Sequence, residues 1–259
     1  MMTLDQGGQR RAVQRVFRAD TTLSDLVEFA WVDDWVAHPP AQPVWRVVAD
    51  DAPHLIWHFY DETAGLADRA ELVGARRTFF DVDLAHRRLT VGVRLRPGAI
   101  PALFGVPASS CTDRSLPLRD VMRSARALSG ATRMCAGDVS ATTFELIHDV
   151  RRSRRARGLG GIASALVPGS HRTIGDIARR AGVCERTLRA HCRRELGMNL
   201  RTVLRIRRLH TALEQKYASP GTRWSAIAAA SGYADQSHFI RDCRRLLGES
   251  PSAFVARAG

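Results

Sequence analysis

Apolar residues follow two different spacings along the chain. In the first half they alternate with polar ones. His54 to Tyr60 (HLIWHFY) sets Leu55, Trp57 and Phe59 against polar partners, a period of two that predicts a strand. Arg88 to Arg96 (RLTVGVRLR) repeats the pattern with Leu89, Val91, Val93 and Leu95, and Pro97-Gly98 ends it as a turn. PALFGVPASS (101–110) reads as a short helix followed by a loop. Val121 to Leu128 and Val139 to Val150 have helical character, the second with Val139, Phe144, Ile147 and Val150 near one face.

From Thr173 onward the spacing is helical throughout and contains a repeat. Ile174, Ile177, Ala178, Ala181, Gly182 and Val183 are answered fifty residues on by Trp224, Ile227, Ala228, Ser231, Gly232 and Tyr233. The offset then becomes 51, matching Leu188, Cys192, Leu196 and Gly197 to Phe239, Cys243, Leu247 and Gly248. Each unit is a short helix, a glycine turn and a longer helix, which is the helix-turn-helix pattern. Thr173 with Asp176, and Ser250 before Pro251, are expected helix starts. Between the units, Asn199 to Tyr217 reads as one connecting helix. Val203, Ile206, His210, Leu213 and Tyr217 line one face of it, with Arg201, Arg205 and Arg208 on the other. The predicted fold class is therefore α+β: a strand-rich N-terminal domain over 1–152, a linker over 153–171, and an all-α domain over 172–259.

Charge sharpens this division. The net charge is +13, yet residues 151–259 hold 22 Lys and Arg against 7 Asp and Glu, and residues 1–150 hold 17 against 19. A near-neutral half precedes one of +15, which points to a polyanionic partner for the second half. No apolar run approaches the roughly 20 residues of a spanning helix, so a membrane is not the expected partner. MMTLDQGGQRR lacks the apolar stretch of a signal peptide, and the five cysteines never form C-x-x-C. A reduced, cytoplasmic setting is expected, without a disulfide framework or structural zinc. RRSRRARGLGG (151–161) reads as a solvated tether, with a supplementary phosphate-contacting arm as the sharper alternative.

The second helix of each unit carries the candidate chemistry. Leu188, Cys192 and Leu196 form a buried seam in the first, leaving Arg186, Arg189 and Arg193 as a basic stripe beside it. In the second the seam is Phe239, Cys243, Leu246 and Leu247. Ser237, Arg241 and Arg244 lie opposite, with Gln236, His238 and Ile240 near the helix start. Guanidinium forks chelate the O6 and N7 of guanine and Gln pairs with adenine, so these residues suit a major-groove code. A single charged stripe is ordinarily only a solvated face; two, on the second helices of a repeated helix-turn-helix, favour double-stranded DNA.

IARRAGVCERTLRAHCRRELGM (177–198) and WSAIAAASGYADQSHFIRDCRRLLGESPSAF (224–254) resemble the AraC/XylS family of bacterial transcription regulators. The G-Y-x-D-Q-S-H-F run and the following G-x-[ST]-P carry most of the likeness. The resemblance implies base contacts from Arg186, Arg189 and Ala190 in the first reading helix. In the second it implies Gln236, Ser237, His238 and Arg241. Arg193, Arg244 and Arg245 look like phosphate contacts, which position without specifying. Cys184 stands where the family usually has a capping Ser, Cys192 and Cys243 where it favours a buried Phe, and Leu200 where it often has Pro. The stretch 91–118 is similar to an uncharacterised domain found before AraC-type modules. It lacks the methyl-accepting cysteine motifs of Ada-type repair regulators and does not read as an arabinose-binding cupin.

The expected function is a sequence-specific transcription regulator whose two reading helices, about 34 Å apart, meet successive major-groove segments. The N-terminal domain would bind a small-molecule effector or a second copy of the chain, and an activator would also contact RNA polymerase. Two alternatives remain. A repair enzyme needs a reactive thiolate, for which Cys111 and Cys135 are the N-terminal candidates, neither beside an activating His or Glu. A non-specific nucleoid or RNA-binding protein is permitted by charge, though the mixed Gln, Ser and Arg of the second helix favour base discrimination. No enzymatic activity, cofactor or metal is expected. His54 and His58 share a strand face without a third ligand, and Trp31, Trp35, Trp45 and Trp57 are read first as core and second as an effector pocket.

Overall fold

The computed structural model describes residues 15–19, 21–36, 44–60, 69–122, 144, 145, 147, 148 and 174–258. The linker over 153–171, Thr173, Cys135 and most of the helices read over 121–128 and 139–150 lie outside them.

The strands are β1 (Arg15–Phe17), β2 (Val27–Asp34), β3 (Val44–Val47), β4 (His54–Phe59), β5 (Arg69–Val73), β6 (Phe80–Asp83), β7 (Leu89–Leu95) and β8 (Ser115–Pro117). Six form an antiparallel sheet in the order β1-β2-β7-β4-β5-β8, and β3 pairs with β6 in a separate ribbon. Strand side chains alternate between faces, and the large sheet uses both. Ala30, Val32, Leu55, Trp57, Phe59, Leu72, Val91, Val93 and Leu95 point to one side. There they pack with α1 (Ala99–Phe104), the 3-10 turn Ala108–Ser110, α2 (Leu118–Val121) and Ile147.

The other face is covered as well, so the polar partners in these strands do not meet water. His54 and His58 are each only 3% exposed, because β3 and β6 lie across this side with Trp45, Val47, Phe80 and Val82 turned toward it. Trp31 lies flat over Gly92, its strand partner, where a Cβ would stand 2.1 Å from the ring. A difference from the expected elements concerns Val121, which ends a helix instead of beginning one. Pro117 supplies the fixed φ that starts the turn at Leu118, and Met122 is already extended.

The C-terminal half is helical: α3 (Ile174–Arg180), α4 (Glu185–Leu196), α5 (Leu200–Ala218), α6 (Trp224–Ala230), α7 (Gln236–Leu246) and α8 (Pro251–Ala258). The repeat is a repeat of backbone conformation as well as of side chains. Gly182 and Gly232 have φ of 65° and 78°, Gly197 and Gly248 of 78° and 84°, the left-handed region that glycine enters without penalty. Ser250 starts α8 by accepting the amide of Ala253. The connecting helix is capped by Asn199, whose side chain accepts the amide of Thr202 at 2.9 Å. Two of the arginines on its other face find partners in the second unit: Arg205 pairs with buried Asp242 at 3.2 Å, and Arg208 lies over the Tyr233 ring. Both tie α5 to the second unit.

The two halves share an interface. Val48, Ala49 and Ala75 enter the same apolar cluster as the seams of α4, α5 and α7. α4 packs against α1 and the Ala108–Ser110 turn, where Thr112 donates to the carbonyl of Gly197 at 2.8 Å.

Candidate nucleic-acid interface

Each recognition helix buries the seam expected of it. Leu188, Cys192 and Leu196 are at most 2% exposed in α4, and Phe239, Cys243 and Leu246 at most 1% in α7. Arg186, Arg189, Ala190 and Arg193 consequently stand exposed on α4, and Gln236, Ser237, Arg241, Arg244 and Arg245 on α7. His238 is half-buried, set edge-on against Tyr233 with centroids 5.2 Å apart and its Nε2 3.9 Å from Asp242. Arg189 bonds Glu185 one turn back at 2.9 Å, a weak exposed pair that exchanges readily for a stronger acceptor.

The two helix starts differ. Asp235 caps α7, accepting the amide of His238 at 2.6 Å. Cys184 holds the same place before α4 in extended conformation, but makes no side-chain cap. Its thiol lies 3.2 Å from the Thr187 hydroxyl, and that hydrogen bond lowers the pKa of this exposed thiol. Burial does the reverse for the seam thiols, raising Cys192 to about 11 and Cys243 to about 12.

Asp242, Arg205 and Tyr233 were missed as positioning residues by sequence reasoning. The carboxylate of Asp242 sits 6% exposed in the α7 seam, and its only sequence signal was a charge breaking an apolar face.

The N-terminal half holds a cleft between the large sheet and the β3–β6 ribbon, lined by Trp31, Trp35, Trp45, His58, Phe80 and Arg87 among others. Trp57 belongs to the core on the opposite face. His58 accepts from Arg87 at Nδ1 (2.9 Å) and donates from Nε2 to Glu71 (2.8 Å), while burial lowers its pKa and keeps the ring neutral. Cys111 is fully buried. Among the described residues no three metal-binding side chains cluster, and no helix is long and apolar enough to cross a membrane.

Comparison with known proteins gives two family matches. Residues 177–257 match a helix-turn-helix domain family, and residues 15–117 match a domain of unknown function, DUF6597. No curated protein matches the sequence. Solved structures of ToxT from Vibrio cholerae are among the structural matches. One at 1.65 Å resolution is 11% identical, covers 88% of this chain and 98% of that one, and has a TM-score of 0.43. Another, with bound unsaturated fatty acid, is 12% identical, covers 82% and 93%, and has a TM-score of 0.41. The C-terminal match spans the two glycine turns and both exposed basic helices, and the N-terminal match spans the sheet and the cleft. The chain is therefore a DNA-binding transcription regulator with an AraC-type helix-turn-helix domain at its C-terminus and a DUF6597 domain before it.

Proposed function

We propose that the chain reads a specific, asymmetric DNA site with α4 and α7 in successive major-groove segments, under control of its N-terminal half. The observation that carries this reading is the matched pair of helices. Both bury an apolar seam and expose the residues suited to base edges and phosphates. Arg186, Arg189 and Ala190 face bases from α4, and Gln236, Ser237, His238 and Arg241 from α7. Arg193, Arg244 and Arg245 hold phosphates. Because the two helices differ in residues, a single polypeptide protects a site without dyad symmetry. The N-terminal domain (1–152) is joined by the 153–171 linker to the DNA-binding domain (172–259). It takes a small-molecule effector or pairs with a second copy, in the cytoplasm of a bacterium, and an activator would also touch RNA polymerase. The protein is expected to have no catalytic activity.

Selection of bound sites from random duplexes, followed by footprinting, tests the reading. Arg189→Ala should lose about 1–3 kcal/mol at the selected site and relax one base position. Arg244→Ala should weaken selected and random duplexes alike. For about six to ten phosphate contacts, log affinity should fall with log salt at a slope of −0.9 per contact. Equal protection of all sequences would assign the chain to non-specific binding.

A further inference from the structure

Ligand sites are concave, mostly apolar and polar at a few points, and the cleft between the two sheets fits that description. Its volume is about 110 Å³, and three indoles and Phe80 are among its lining residues. An aromatic lining favours planar aromatic guests. The polar groups on the wall are largely engaged with one another. Trp31 donates to Asp33, Trp35 to Thr90, and Glu71 takes His58 on one oxygen and Arg69 on the other. An ionised guest would shed its water here with little to replace it. Arg87 also lines the cleft, and its Nε–H has no hydrogen-bond partner among the described residues. A buried donor of this kind calls for an acceptor.

The same cleft is wired to the DNA-binding half. β3 carries Trp45 and Val47 on the cleft wall, β4 begins with His54 on that wall, and the six residues between them, 48–53, are all buried. Inside this loop the Ala49 carbonyl accepts from His210 of α5 at 2.8 Å, and its amide donates to the Leu246 carbonyl at 3.1 Å. Asp51 accepts from Arg207 of α5 at 2.6 Å. Asp50 locks the loop from behind, holding the amide of Ala52 and the two-pronged guanidinium of Arg94, which also lies against His54. A close-packed loop held at both ends shifts as a unit. Through the Ala49 amide this loop reaches Leu246, the last residue of α7.

We propose that this cleft binds a flat, uncharged aromatic molecule with an acceptor oxygen, and that its occupancy is passed through loop 48–53 to the second reading helix. The proposal rests on the regulatory reading of the N-terminal half. The acceptor meets Arg87 and the ring plane lies between Trp45 and Trp31. Trp45 is half-buried on the ribbon, so replacing it tests binding with small risk to the fold.

Full-length protein is titrated calorimetrically with quinolin-2-one, 1-indanone and coumarin. Indole, flat but lacking an acceptor oxygen, and cyclohexanecarboxamide, an acceptor that is not flat, serve as controls. At least one of the three carbonyl compounds should bind with one-to-one stoichiometry and at least tenfold more tightly than either control. Trp45→Leu and Arg87→Met should each weaken it about tenfold, and Trp45→Phe should retain it. Saturation should change affinity for the selected DNA site roughly 5- to 100-fold, and that change should vanish when the half-site under α7 is scrambled. Asp51→Asn should keep ligand affinity within twofold and lose the DNA response. Absence of binding by all three, or equal binding by the controls, overturns the ligand assignment. A full DNA response in Asp51→Asn overturns the path. Either failure leaves the unliganded protein's DNA recognition, measured in the same assays, standing.

Discussion

Cys192 and Cys243 occupy corresponding points of the two recognition helices, each with no exposed surface. The thiolate is the reactive form, so the raised pKa values and the burial act together against alkylation. Cys184 is the opposite case, exposed and with its pKa lowered by the Thr187 hydrogen bond. Brief iodoacetamide treatment of the native protein, read by peptide mass, should label Cys184 while sparing Cys111, Cys192 and Cys243. Equal labelling of all four would contradict the buried seams. The family's preference for Phe at Cys243 suggests space for a ring. The same apolar cluster already holds three rings: Phe239 is tilted 5.4 Å from Trp224 and edge-on 5.0 Å from Tyr233. Cys243→Phe should therefore overpack the second unit and cost about 1–3 kcal/mol, measured by urea unfolding; a gain in stability would show that the aromatic cluster yields. The seam thiols were legible in the sequence because helical spacing alone places them inside. The burial of His54 and His58 was not. A polar residue alternating with apolar ones looks the same whether its face meets water or a second layer of strands, and β3 and β6 supply that layer from elsewhere in the chain.

Helix starts separate the two reading units more sharply than their seams do. α7 begins at a charged cap and α4 at a thiol that caps nothing. An N-cap hydroxyl or carboxylate satisfies one of the free amides of the first turn and contributes about 0.5–2 kcal/mol. Cys184 already has the extended backbone of a cap, with φ −75° and ψ 159°. Cys184→Ser should thus stabilise the protein by roughly 0.5–1 kcal/mol, and Asp235→Ala should destabilise it by about 1 kcal/mol. Paired denaturant curves decide this, and a neutral Cys184→Ser would mean that the Thr187 contact already does the work of a cap. At this scale the sequence was a good guide to the C-terminal half. Two independent signals coincide there, the helical period and glycines at positive φ, and each repeats at a fixed offset. It placed α5 to within a residue but not the partners of its arginines, because an arginine aimed at Asp242 and one aimed at solvent have the same spacing. Pairing of Arg205 with a carboxylate one helix away depends on tertiary contacts that no local pattern encodes.

The two halves meet around loop 48–53, and a buried cluster of Asp50, His54 and Arg94 supports it. Asp50 and His54 are nearly inaccessible. Burial opposes charge on both, but the Arg94 guanidinium holds Asp50 ionised well below the usual carboxylate range. His54 has no such rescue. Burial lowers its pKa from 6.5 to about 3, with the neighbouring Arg94 adding to the effect and Asp50 only partly offsetting it. The folded protein therefore keeps this imidazole neutral while the unfolded chain protonates it. Between those two values the unfolded state binds more protons, so stability falls as pH falls. From pH 7 to pH 5 the expected loss from His54 alone is about 2 kcal/mol. His58, also lowered by burial, acts in the same direction; Asp50, held low by Arg94, and Glu71, held low by its hydrogen bond from His58 and by Arg69, contribute their losses only at more acid pH. Urea unfolding of wild type and His54→Asn at pH 7 and pH 5 isolates the term. The variant should start less stable, having lost the edge-on ring contact with Trp31, yet lose about 2 kcal/mol less on acidification. Because Asp50 sits between Ala49 and Asp51, which reach α7 and α5, and His54 follows the same loop, protection of the Leu246 and His210 amides against hydrogen exchange should fall over the same pH range in wild type. Identical pH slopes for the two proteins would mean that His54 reaches solvent and titrates normally, and the buried cluster would then not be what holds the interface together.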